Sequence, residues 1–239
     1  KLKVHLDIVD MRKSIKYIMQ KEYSDVKADS SALKYINEIL NNVCNGIFTI
    51  FIDDIDGKTI SQEDVIYEAT DEYIQSVLKV DSDINESAKA MGSSYAHNEE
   101  NMKTQGWSEV GKQIKEKIKL AISNAEYDTK TILPVVPNFL CGVLSSLASE
   151  LLDVGVTYVL SSRFTKLSKL VAEKAIQSDP GLSGIYLNLK GRNAKEIVST
   201  TRHQSREAQV KDSNSDYFDA SGVSRSDNDS SNNQNLLSG

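Results

Sequence analysis

Residues 135–160 read VVPNFLCGVLSSLASELLDVGVTYVL, and Glu150 and Asp153 are the only charges among those 26 positions. Crossing the hydrocarbon core of a membrane takes roughly 20 uninterrupted apolar residues. The longest run free of Asp, Glu, Lys and Arg, Thr131 to Ser149, carries Pro134, Pro137, Asn138, Ser145, Ser146 and Ser149, and Glu150 follows directly. A membrane span is therefore not expected. Proline suits a first helical turn, so the stretch predicts a helix that starts near Pro137 and runs about 24 residues, roughly 36 Å. Such a helix is apolar almost all round, which calls for a central position covered on more than one side.

The rest of the chain sets the terms for that cover. Its 239 residues, 39% of them hydrophobic, suffice for one large domain or two small ones, and with only three prolines and 12 glycines the composition favours helix. The N-terminal KLKVHLDIVDMRK has no sustained apolar region, so no signal peptide is expected. Cys44 and Cys141 each sit within an apolar run and read as small buried side chains, not as a disulfide. His5, His97 and His203 are far apart and lack companion ligands, so neither a metal site nor a cofactor is expected. A net charge of −6 argues against a simple nucleic-acid binder. The distribution matters more: residues 1–97 carry −6, residues 98–210 carry +3 and residues 211–239 carry −3.

Two halves share one plan. In the first, Met11–Lys21 has Ile15, Ile18 and Met19 at helical spacing. A polar turn follows, then a long helix from Ala32 with Leu33, Ile36, Ile39, Leu40, Val43, Cys44, Ile47 and Phe48 on the three-four pattern and Ser30 or Ser31 as its N-cap. Past DDIDGKTI, Ser61 with Asp64 marks a capped third helix, and INESAKAMGSSYAH makes one more. In the second half, EVGKQIKEKIKLAIS is a basic amphipathic helix with Val110, Ile114, Ile118 and Ile122 on one stripe. The apolar stretch is the long helix, and TKLSKLVAEKAI is a short one closed by the Ser-Asp-Pro-Gly turn. An offset of 108 aligns Ile36 with Leu144, Val43 with Leu151 and Cys44 with Leu152. Residues 211–239, rich in Ser, Asn and Asp, read as a disordered polar tail.

Short, long and short helices joined by two loops resemble the histone fold. DMRKSIKYIMQKEYSDVKADSSALKYINEILNNVCNGIF, GKTISQEDVIYEA and ESAKAMGSSYAH are similar to histone 2B, including its added C-terminal helix with the Ala-Lys-Ala core at Ala88–Ala90. VVPNFLCGVLSSLASELLDVG and KLSKLVAEKAIQSD resemble histone 2A, with Pro137, Phe139, Leu140, Val143, Leu144, Glu150 and Leu151 in positions which that family fills with like residues. In this order the chain resembles the fused histone doublets of giant DNA viruses. The resemblance implies an all-α protein in which two histone folds clasp within one chain as a handshake pseudo-dimer. Its parts would be a 2B-like fold at 1–98, a linker at 99–109, a 2A-like fold at 110–190, an extension at 191–210 and the tail at 211–239.

The same resemblance implies a structural, non-enzymatic protein that packages double-stranded DNA without reading sequence, together with histone 3-like and histone 4-like partners. Its location would be the viral particle and the host nucleus or a cytoplasmic viral factory. Such wrapping uses phosphate neutralisation, helix N-termini and basic side chains at the minor groove. By position, one end would combine Lys27, Ser30 and Ser31 with Arg163 and Lys166. The other would combine Lys58 and Thr59 with Lys130 and Thr131. The centre would use Arg12, Lys13 and Lys16 with Lys112, Lys115, Lys117 and Lys119. Glu86, Glu150, Asp153 and Asp179 match an acidic patch where arginine-bearing proteins dock. The overall acidity implies a grip weaker than a cellular pair's. The alternative is a regulatory or scaffold module that uses the same clasp on proteins and scarcely binds DNA. The sequence carries no phosphate loop, no H-E-x-x-H and no nucleophile-elbow serine.

Overall fold

The computed structural model describes residues 6–55, 61–124 and 132–191, and all of these lie in one compact unit. The chain order is α1 (Arg12–Glu22), β1 (Lys27–Ala28), α2 (Ser30–Ile55), α3 (Gln62–Asp71), a π-helical extension (Glu72–Val77), α4 (Ser82–His97), α5 (Glu99–Thr104) and α6 (Ser108–Asn124). It continues with α7 (Val135–Ser161), β2 (Lys166–Leu167) and α8 (Lys169–Ser178), after which residues 183–191 form α9. The structure is mostly helical, and short–long–short occurs twice, as α1–α2–α3 and as α6–α7–α8.

The apolar stretch forms α7, at 27 residues the longest helix among the described residues, beginning two residues ahead of Pro137. By length and composition alone α7 does qualify to cross a membrane, contrary to the sequence expectation, because Glu150 and Asp153 are too few to bring down its high mean hydropathy. Within the protein, 78% of its most apolar 18-residue window is buried. The cover comes mainly from the other half of the chain. α4 packs along α7 more extensively than any other pair of helices, and α2, α3, α6 and α8 contribute. The α4–α7 approach is close enough to require glycine: a Cβ on Gly142 would stand 2.3 Å from the Met91 carbonyl oxygen and 2.8 Å from the Cα of Gly92. Tyr95 on α4 reaches Ser145 on α7 with a buried 3.2 Å hydrogen bond between hydroxyls.

One hydrophobic cluster runs from Leu6 to Leu189 through both halves. The pairs aligned by the 108-residue offset are all in it: Ile36 with Leu144, Val43 with Leu151, and Cys44 with Leu152. Cys44 and Cys141 are free and buried, as expected, and burial pushes both thiols well above the usual range.

The two triplets are joined head to tail. β1, from the first loop of the first triplet, pairs in parallel with β2, from the second loop of the second, in the register Lys27 with Lys166 and Ala28 with Leu167. The opposite pair of loops is mostly outside the described residues, but its flanks meet: the Leu133 N–H donates to Gln62 Oε1 at 2.8 Å. The turn leading into α9 is tied to the first half, with the Gly181 carbonyl accepting from Asp81 N at 3.0 Å.

Several local expectations are revised. The helix expected to begin at Thr165 begins at Lys169, because Lys166 and Leu167 are drawn into the strand pair. Residues 99–109 are not a bare linker: Asn98 caps α5 by accepting from Glu100 N at 3.0 Å, and α6 starts at Ser108. Neither Ser30 nor Ser31 caps α2. Asp29 does, its Oδ1 accepting from Ser31 N and Ala32 N, each at 3.0 Å. The Ser61 cap forms as expected, accepting from Asp64 N at 3.2 Å. The expected tail at 211–239 and nearly all of the extension at 191–210 lie outside the described residues.

Gly142→Val places a branched side chain against helix backbone that cannot move without separating α4 from α7. The expected cost is about 3 kcal/mol, a fall of roughly 10 °C in the thermal midpoint. A thermal melt of the variant checks it, and an unchanged midpoint would refute the close helix contact.

Candidate nucleic-acid interface

The strand pair builds one end of the expected interface. Lys27 and Lys166 face each other across the register, and both are exposed. Two helix N-termini converge beside them. That of α2 follows β1 directly, and that of α8 is capped by Ser168 Oγ, which accepts from Val171 N at 3.4 Å. Ser31 Oγ accepts from Lys169 N at 3.1 Å, so a hydroxyl at the start of α2 satisfies a backbone donor at the start of α8. Helix N-termini carry partial positive charge, which favours an anion. Arg163 is exposed in the loop leading to β2. Lys27, Ser30, Ser31, Arg163 and Lys166 are thus assembled at one place by the pairing of two loops.

Asp29 sits within the same end. Hydrogen bonds from Ser31 and Ala32 hold its carboxyl below the usual range, with Lys166 Nζ 3.6 Å away. Its charge partly cancels that of Lys166. The sequence signal for Asp29 was the Asp-Ser-Ser-Ala start of the helix, in which an aspartate one position earlier competes with both serines.

At the centre, the exposed face of α1 carries Arg12, Lys13 and Lys16, and that of α6 carries Lys112, Lys115 and Lys119, with Lys117 half-buried. They are not equivalent. Arg12 grips Asp10 through two 2.8 Å hydrogen bonds, which lower the aspartate to about 2. Lys117 lies 3.4 Å from Asp7, and Lys119 lies 2.9 Å from Glu116. Lys13, Lys16, Lys112 and Lys115 have no ion-pair partner among the described residues, and neither do Lys27 and Arg163. Below this face α1 is seated on the turn before α6: Ser14 Oγ donates to the Gly106 carbonyl at 2.7 Å and Tyr17 OH to that of Thr104 at 3.2 Å. Gly106 holds φ at +75°, a conformation that favours glycine, and Trp107 next to it is fully buried. The other expected end, Lys58, Thr59, Lys130 and Thr131, lies outside the described residues.

Three of the four acidic-patch candidates come together. Glu150 and Asp153 lie one turn apart on α7, and Asp179 lies near enough for its charge to act on Glu150. Burial first, and then those two neighbours, push the Glu150 carboxyl above the usual range. Asp153 accepts from the Tyr23 hydroxyl at 3.2 Å. Asp179 is committed to local structure, because its Oδ1 accepts from Gly181 N and Leu182 N, each at 2.9 Å, at the entry to α9. Glu86 is engaged elsewhere: it lies 2.6 Å from the buried ammonium of Lys89, which also bonds Asp71 at 2.7 Å and sits 4.7 Å from the centre of the Tyr67 ring.

Among the described residues no group of His, Cys, Asp and Glu has the makings of a metal site. His97 instead pairs with Glu63 at 2.8 Å. A scan against protein-family models finds no match, and neither does a sequence comparison with curated proteins.

The raised carboxyl of Glu150 fixes the sign of one pH effect. A folded-state pKa above the unfolded value means that the group favours folding when protonated. That benefit is complete below the usual glutamate range and is lost as pH rises through the folded value. At pH 7 the ionised Glu150 therefore costs stability. Glu150→Gln raises the thermal midpoint at pH 7, and the gain shrinks towards zero as the pH falls to about 4. Melts at the two pH values check this, and a lower midpoint for the variant at pH 7 would contradict it.

Proposed function

We propose that this chain is a histone doublet, a 2B-like and a 2A-like histone fold clasped as a handshake pseudo-dimer, that packages double-stranded DNA without sequence specificity. The observation that carries the reading is the parallel pairing of β1 with β2. It joins the first loop of one helix triplet to the second loop of the other, which is how two histone folds clasp, and it sets Lys27 beside Lys166 at two converging helix N-termini. The length of α4, its Ala-Lys-Ala core and its seat along α7 support assignment of the first half as 2B-like. The partners under this reading are a histone 3-like and a histone 4-like protein or their doublet, and the location is the viral particle and the host nucleus or viral factory. The chain performs no catalysis. Glu150 and Asp153 would offer a small docking point for arginine-bearing proteins, reduced because Asp179 and Glu86 have structural commitments.

DNA would be held by charge and helix ends, with no base edge touched. Overall acidity does not prevent this, because screening limits each phosphate to the charges within about 8 Å at physiological salt. It does weaken the grip, and the salt slope is expected to be shallower than that of a cellular histone pair.

A scaffold module that binds proteins is the second reading, favoured by the net charge of −6 and by the internal pairing of Arg12, Lys117 and Lys119. Electrophoretic mobility shift of a mixed-sequence duplex at two salt concentrations separates the two: a shift at low salt that fades at high salt is expected, and its absence at low salt favours the scaffold. With a histone 3-4 counterpart added, nuclease digestion is expected to leave a protected fragment. The double variant Lys27→Ala, Lys166→Ala is expected to bind more weakly and to flatten the slope of log affinity against log salt by up to roughly 1.8. An unchanged slope would remove the strand-pair end from the interface.

A further inference from the structure

Residues 6–11, ahead of α1, run as a strap over α2. Their backbone N–H groups find side-chain oxygens along one face of that helix: Leu6 donates to Asn45 Oδ1 at 2.6 Å, Val9 to Asn41 Oδ1 at 2.7 Å and Met11 to Asn37 Oδ1 at 2.7 Å. Asn41 also returns a 2.9 Å bond from Nδ2 to the Val9 carbonyl. Asparagines four residues apart stack on one helix face, so the three form a ladder that replaces the hydrogen bonds of a strand partner. Leu6, Val9 and Met11 are buried, which fixes Asp7, Ile8 and Asp10 on the outside.

Those two outward carboxylates each meet a cation of the central DNA-binding face. Asp10 takes the Arg12 guanidinium in a two-bond grip, and Asp7 stands 3.4 Å from the Lys117 ammonium, reaching across from the first half of the chain to the second. The strap is also fastened to α6, where Gln113 Oε1 accepts from Asp10 N at 3.1 Å. Carboxylate oxygens bound to guanidinium and ammonium stand where phosphate oxygens would.

We propose that the strap is an internal phosphate mimic: Asp7 and Asp10 occupy the places of two backbone phosphates and withhold Arg12 and Lys117 from a bound duplex. This rests on the DNA-binding reading above and assigns its central site a built-in brake. Exposed ion pairs of this kind are individually weak, but the strap holds both carboxylates beside their cations at high effective concentration, and a phosphate must compete with that. Lys13, Lys16, Lys112 and Lys115 remain available, so the centre works at part strength.

The test uses the full chain, a labelled mixed-sequence duplex and titrations across a range of salt. Asp7→Asn with Asp10→Asn removes both charges and keeps the oxygen of residue 10 that accepts from Arg12 N at 3.1 Å, so the fold is retained. Freed Arg12 and Lys117 are expected to add two phosphate contacts, tightening binding at each salt concentration and steepening the log–log salt slope by roughly 1.8. Glu72→Gln with Glu99→Gln is the matched control, since these exposed acids have no ion-pair partner among the described residues and the change in net charge is the same. The control is expected to leave the slope near that of the wild type. A slope for the strap variant equal to that of the wild type or the control, with DNA still bound, overturns the mimic and leaves the packaging reading standing. Failure of all three proteins to bind at low salt overturns both.

Discussion

The structure depends on one constraint: α7 is apolar on almost every face, and its own neighbours α6 and α8 are too short to cover it. Cover has to come from the first half of the chain, and α4 supplies most of it, close enough at Gly92 and Gly142 for the two backbones to touch. Because one helix of each half lies against the other, neither half has a complete core of its own. The single hydrophobic cluster results from this, and so does the convergence of loops distant in sequence. The strand pair is a consequence of the clasp. Two residues on each side could not hold two halves together, but once the helices are packed the loops are brought to a fixed register.

That register turns a dispersed set of lysines into a surface. Lys27 and Lys166 are 139 positions apart in the chain and belong to the same end because β1 and β2 pair. The two helix N-termini add to the positive potential there, and Asp29 reduces it. At the centre the balance is finer still. Among the described residues, Lys13, Lys16, Lys112 and Lys115 stand unpaired while Arg12, Lys117 and Lys119 are occupied by acids of the same chain. A net charge cannot express this difference; what a phosphate meets is set by which cations are already paired.

Much of the architecture was legible. Periodicity located the helices of both triplets, since their buried stripes recur at three and four residues, and Ser61 announced its cap. The boundaries that failed did so for tertiary reasons. Lys166 and Leu167 read as the start of a helix until β1 removed them from it. Residues 99–104 read as linker because a six-residue helix has no room to show a period. The asparagine ladder at 37, 41 and 45 left a four-residue spacing in plain view, but its meaning depends on a strap that local pattern cannot place.

Sequence alone determined the helical class, the twofold repeat of short, long and short, the burial of α7 and the position of most cationic side chains, because each of these arises from local period and composition. Tertiary structure decided which loops meet, which acids neutralise which cations, and which members of the acidic set stay available. Asp10 can be guessed to serve Arg12 from two residues away. That Asp7 reaches Lys117, that Asp179 closes the entry to α9 and that Glu86 turns to Lys89 depend on distances within the folded chain, and Coulomb attraction and hydrogen bonding act on those distances alone.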